Sequence, residues 1–233
     1  MKRHIVIGPD TKLVNIGGRP PPAVLVLLIV QLGLLLAWAF ADGPAWINKH
    51  IALSASEFFG HRKYWQPLTA LWISLEGRAI IDLLTLWLFG SALERFWGSR
   101  RFVVFFVVTG SAALLAAAFA GLLQPTRLIA GSAGAAAAML AAFAFTFPNH
   151  LIFFYGVLPL KAKLLAPLLL GFVLLGSVLG ANYVEGALLL AGAAAALPFL
   201  LRRGTPRPPR RSRPSSKLQV IEGGKKDEPR YWN

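Results

Sequence analysis

Six stretches of this chain run for roughly the 17 to 25 residues that cross a bilayer core with few charges, and that constrains the fold more than any other feature. They cover residues 23–41, 77–96, 102–123, 128–147, 164–179 and 184–201. The chain is 56% hydrophobic yet carries a formal charge of +14, so apolar bulk and positive charge are segregated along it. A soluble domain of 233 residues would show amphipathic stripes instead. The expected fold class is an all-α polytopic membrane protein, a bundle of six transmembrane helices with an interfacial loop between spans one and two. Cysteine is absent, which excludes disulfides, thiolate metal sites and cysteine nucleophiles.

The expected layout has three parts. Residues 1–22 form a basic amino-terminal segment ending in Pro20-Pro21-Pro22, which stops any upstream helix and lets the first span begin near Ala23. Residues 23–201 form the membrane domain. Its first apolar run is too long for a signal-peptide core and reads as a retained helix. Residues 42–70 mix Trp46, Phe58, Phe59, Tyr64 and Trp65 with charges, as expected of a loop with short helices at headgroup level. Residues 148–163 hold two prolines, a glycine and two lysines, which suits an interfacial loop rather than a crossing. The short turn at Gly180-Ala181-Asn182-Tyr183 makes spans five and six antiparallel neighbours.

Residues 202–233 carry ten basic and three acidic residues among many prolines and cannot bury a core. Most of the 24 Lys and Arg fall on the face that also receives both termini, so both termini are expected in the cytoplasm. The tail is expected to touch anionic lipid headgroups, and no nucleic-acid partner is expected. A plasma (inner) membrane of bacterial type is the expected location.

Residues able to carry chemistry are few. Small residues crowd spans three, four and six, where they let helix backbones approach closely. Ser132, in Gly131-Ser132-Ala133-Gly134-Ala135, is a nucleophile only if a base takes its proton. None of the four histidines, His4, His50, His61 and His150, lies in a predicted span. Ionisable groups inside spans cost roughly 2.5 to 3.5 kcal/mol each to insert and so mark candidate sites. Arg78 and Asp82 are four apart at the outer end of span two and share a helix face. Glu185 opens span six, where the helix dipole favours a carboxylate. These three read either as a pair plus a capping carboxylate, or as an outward cavity lined by Asp82, Glu185 and Ser132. No cofactor or metal is expected.

Several stretches resemble the rhomboid family of intramembrane serine proteases. Tyr64-Trp65-Gln66-Pro67-Leu68-Thr69 is similar to the family's stretch before span two. Residues 86–102, LWLFGSALERFWGSRRF, are similar to the pattern that closes span two and opens span three. Gly131-Ser132-Ala133-Gly134-Ala135 sits where rhomboids carry Gly-x-Ser-Gly-Ala, and Leu158-Pro159-Leu160-Lys161-Ala162-Lys163 resembles the loop before span five. Aligned on its glycines, the resemblance puts the nucleophile's position on Ala133, with Ser132 one residue early, a turn of about 100° around the helix. The catalytic histidine's position falls on Tyr183 or Asn182, and the two oxyanion-stabilising positions fall on Arg78 and Asp82. A carboxylate there repels a developing oxyanion.

With all four positions altered, the resemblance implies a catalytically degenerate rhomboid-like pseudoprotease that binds or escorts the transmembrane helices of client proteins. An enzyme is not the favoured expectation. Two alternatives stand beside it: an active rhomboid protease using Ser132 with His50 or His61 folded in from the loop, and an ion or proton pathway through Asp82 and Glu185.

Overall fold

The structure, a computed structural model, describes residues 19–40, 50–74, 79–124, 128–149, 151–154 and 158–201. Residues 1–18 and the basic tail, residues 202–233, lie outside the described residues. The expected fold class holds: this is an all-α polytopic membrane protein, with one small hairpin added.

Helix α1 spans Pro22–Phe40. Its start shows how sequence sets local structure. Pro22 at the first helical position has no N–H to satisfy, and the Leu25 N–H donates to the Pro21 carbonyl at 2.9 Å. The N–H groups of Ala23 and Val24 donate to the two oxygens of Glu94, at 3.0 and 2.7 Å. Every free donor of that helix start is thus met, by a carboxylate that the helix dipole also favours.

Short turns at Ser56–Gly60, α2 (Gln66–Thr69) and Ala70–Trp72 build the segment after α1. Span two is helical in three pieces: α3 (Ala79–Thr85), a π turn at Leu86–Gly90, and α4 (Ser91–Trp97). Gly98, at φ +85°, ends α4 and starts α5 (Ser99–Ala120) one residue later. Gly90 lies where α1, span two and α5 meet, since a Cβ there would be 3.0 Å from Phe102 and 3.3 Å from Val24.

Next come α6 (Ala133–Thr146), strands β1 (Leu151–Phe154) and β2 (Leu158–Lys161), α7 (Ala162–Leu179) and α8 (Tyr183–Leu201). The strands pair antiparallel, with Leu151 opposite Lys161. The fourth apolar run was expected to be helical from residue 128, but its helix begins only at Ala133. Gly131 sits at φ +120°, which no helix accommodates, and Ile129 instead exchanges backbone hydrogen bonds of 2.9 and 2.7 Å with Leu53. Helices α7 and α8 are joined by Gly180-Ala181-Asn182. There the Asn182 N–H reaches the Ser177 carbonyl at 2.7 Å and the Ala181 N–H the Val178 carbonyl at 3.1 Å, a Schellman ending with Ala181 at φ +50°.

The core lies where α5, α6 and α8 cross. A Cβ on Gly192 would fall on the Gly134 backbone, 2.9 Å from its Cα, and one on Gly134 would collide with the Ala113 side chain. Gly110 is likewise filled by Leu71. Small residues therefore permit backbone contact at the centre of the bundle. Phe102, Phe105 and Phe106 pack around it, fully buried. At the far end of α8, the Arg101 guanidinium donates to the Phe199 carbonyl at 3.1 Å while lying over the Trp97 ring.

By length and composition, three helices are long and apolar enough to cross a membrane: Ser99–Leu123, Ala162–Leu179 and Tyr183–Leu201. The stretches Pro22–Ala37 and Ala133–Thr146 are shorter apolar helices.

Candidate functional site

The candidate site is the junction of three short backbone segments at the start of α6. Ser132 precedes the first helical residue there, is 1% exposed, and makes no capping hydrogen bond to its own helix. Gly131 donates its N–H to the Ala70 carbonyl at 2.9 Å, which ties this turn to the segment after α2. Asp82 comes in from the first turn of α3 and is 4% exposed. Its Oδ2 accepts the Ser74 hydroxyl at 2.8 Å. A Cβ on Gly131 would stand 3.3 Å from that same Oδ2 and 3.5 Å from Ser74 Oγ. The backbone angle at residue 131 requires glycine, and a side chain there would also crowd the carboxylate beside it.

The structure therefore brings Asp82, Ser74 and the Gly131–Ser132 turn together. Ala133 follows as the first residue of α6 and is buried. Glu185 and Asn182 form a cap at the start of α8: Asn182 Nδ2 donates to Glu185 Oε2 at 2.7 Å, and the Glu185 N–H donates to Asn182 Oδ1 at 3.2 Å. Asn182 is thus an N-cap for Glu185, whose carboxylate returns to the asparagine side chain, the Asn182 backbone N–H being spent on the Ser177 carbonyl. Tyr183 is more than half exposed beside it. The expected pairing of Asp82 with Arg78 involves a residue outside the described ones, as are His4 and His150.

The loop histidines stand elsewhere. His61 is on the surface with its Nδ1 3.7 Å from Glu57 Oε2, and Glu57 also pairs with Lys63. His50 is exposed, whereas the Ser132 side chain is buried. Chemically, Asp82 is a buried acceptor that holds a serine hydroxyl beside the start of α6. It opposes any oxyanion forming at the same turn. Among the described residues, no group of three His, Cys, Asp or Glu is placed to hold a metal ion.

Sequence reasoning gave no role to several buried polar residues, Glu94 and Gln31 among them. Glu94 entered only as part of a pattern, although it is 3% exposed and takes three hydrogen bonds, the third from the Ser99 hydroxyl at 2.6 Å. Gln31 is 6% exposed in the middle of α1, and neither its Nε2 nor its Oε1 has a hydrogen-bond partner. Its signal was available, because it is the one carboxamide in the first apolar run. Near it, α1 and span two leave an open groove of about 370 Å³ lined by Leu28, Leu32, Ile80, Leu83, Leu84 and Trp87.

Comparison with known proteins gives one family. A family described as "Eukaryotic integral membrane protein (DUF1751)" matches residues 23–200, from the first residues of α1 to the last turn of α8. No curated protein matches the chain.

Proposed function

On the premise that the chain belongs to this DUF1751 family of integral membrane proteins, we propose that it is a non-catalytic, rhomboid-like membrane protein that holds transmembrane helices of client proteins. The observation that carries the reading is Asp82. Its carboxylate is buried against the Gly131–Ser132 turn with Ser74 as donor. Acyl transfer at Ser132 builds negative charge on the attacked carbonyl oxygen and needs donors aimed at it. A buried acceptor at this turn works against that charge, and the exposed His61 is engaged with Glu57 rather than with Ser132.

Binding does not need that chemistry. Helices associate in bilayers through close packing and scattered polar contacts. Gly110, Gly134 and Gly192 are used in packing inside the bundle, so a client helix meets the outer faces instead. Those faces are apolar: Leu84 beside the groove, and Leu164, Leu168 and Phe172 along α7, are all exposed. Topology belongs to the same proposal, with both termini and the basic tail on the cytoplasmic side of the plasma membrane.

A serine-reactive fluorophosphonate tests the catalytic half. The purified full-length protein and its Ser132→Ala variant are expected to label equally and at background, beside an active rhomboid that labels strongly. Labelling that disappears in Ser132→Ala identifies a protease and ends the proposal.

A further inference from the structure

The search for a client seat begins with what the bilayer leaves unsatisfied. Lipid chains supply neither donors nor acceptors, so a buried carboxamide with both atoms unpaired is held at a cost that only a polar partner relieves. Gln31 is such a group, 6% exposed with neither amide atom bonded. It lies between Leu28 and Leu32, the two α1 residues that line the groove against Ile80, Leu83, Leu84 and Trp87 of span two. At about 100° per residue, it sits on the neighbouring face of α1, behind the groove's wall. The seam between α1 and span two thus offers a recess open to lipid and, behind the α1 residues that line it, an unmet donor and acceptor.

Resting on the helix-holding proposal, we infer that this seam is the client seat and that it selects a transmembrane helix carrying a carboxamide, Asn or Gln, at mid-membrane depth. A helix entering the seam from the bilayer replaces the side-chain contacts between α1 and α3. Its apolar face fills the recess, and its own carboxamide meets Gln31. The match is specific in chemistry. A carboxamide returns one donor and one acceptor to a group that lacks both, whereas a carboxylate brings a charge that is expensive at this depth. Such interhelical hydrogen bonds add a modest but selective increment to van der Waals packing. The small-residue crossings at Gly134 and Gly192 do not compete for this role, because Gly134 is closed by the Ala113 side chain and Gly192 by the Gly134 backbone.

The test uses the full-length protein in phosphatidylcholine vesicles, with a photo-crosslinking side chain at Leu84 or, separately, at Leu168 on α7. Two synthetic helices are offered, one of Leu and Ala with a single central Asn and one with Leu in its place. The expected result is about three- to tenfold more crosslinking of the Asn helix at Leu84, with the preference abolished in Gln31→Leu. That variant removes an unmet polar group, so its thermal stability should equal or exceed that of the parent, which separates lost recognition from lost folding. Equal capture of both helices at Leu84, or a preference that survives Gln31→Leu, overturns the inference and leaves helix binding standing. So does crosslinking between two copies of this chain that excludes the added helix. Absence of crosslinks at both Leu84 and Leu168 removes the helix-holding proposal and the inference with it.

Discussion

At the residue scale, two buried carboxylates do opposite kinds of work. Glu94 completes a helix start: two backbone N–H groups of α1 and the Ser99 hydroxyl all end on it. Glu94→Ala strands these donors, and it should lower stability in detergent by about 3 kcal/mol, read as a fall in the thermal midpoint. Glu94→Gln keeps an acceptor oxygen and should lose clearly less. Asp82 sits instead at the candidate site. Asp82→Ala leaves the Ser74 hydroxyl without that acceptor, an expected loss of about 1 to 3 kcal/mol, again measured by thermal unfolding. Asp82→Asn should leave proton uptake by reconstituted vesicles unchanged, and a change there would revive a proton pathway. Asp82 and Ser132 were legible as candidates because polar groups are rare in apolar runs. That the two could line one cavity was a reading of the sequence; the Ser74 donor on Asp82 and the docking of the Gly131 turn on Ala70 were not legible in it. Nor was the role of Glu94, whose backbone partners lie some seventy positions away along the chain.

At the scale of elements, run length and charge placed the helices well and their ends less well. Apolar length cannot distinguish an extended residue from a helical one. Residues 128–132 read as part of span four, but the Leu53–Ile129 pairing and the positive φ of Gly131 keep them out of the helix. The composition of segment 148–163 reads as an interfacial loop, and the segment contains the β1–β2 hairpin. Two substitutions test the element-level account. Ala181 holds the left-handed position of the turn between α7 and α8 that glycine occupies without strain. Ala181→Gly should therefore raise stability by about 0.5 to 1 kcal/mol. Gly192→Ala places a methyl on the Gly134 backbone and should cost about 1 to 3 kcal/mol or more, because two helix axes must separate. Unfolding in a mild detergent distinguishes the two signs.

At the scale of the molecule, segregated charge and apolar surface make a membrane protein whose interior is consumed by its own packing and whose outer faces remain apolar. The absence of cysteine makes the proposed topology easy to examine. Single replacements Lys2→Cys and Lys217→Cys should react with a membrane-impermeant maleimide from one side, and Arg62→Cys from the other. The central claim, binding without cleavage, is tested most directly in a single preparation. A fluorescent single-span helix is added to vesicles holding the full-length protein or its Ser132→Ala variant, and binding and fragment release are followed together. The account predicts saturable binding, identical in both proteins, with no fragment in either. Fragments that appear with the parent protein and vanish with Ser132→Ala would contradict it.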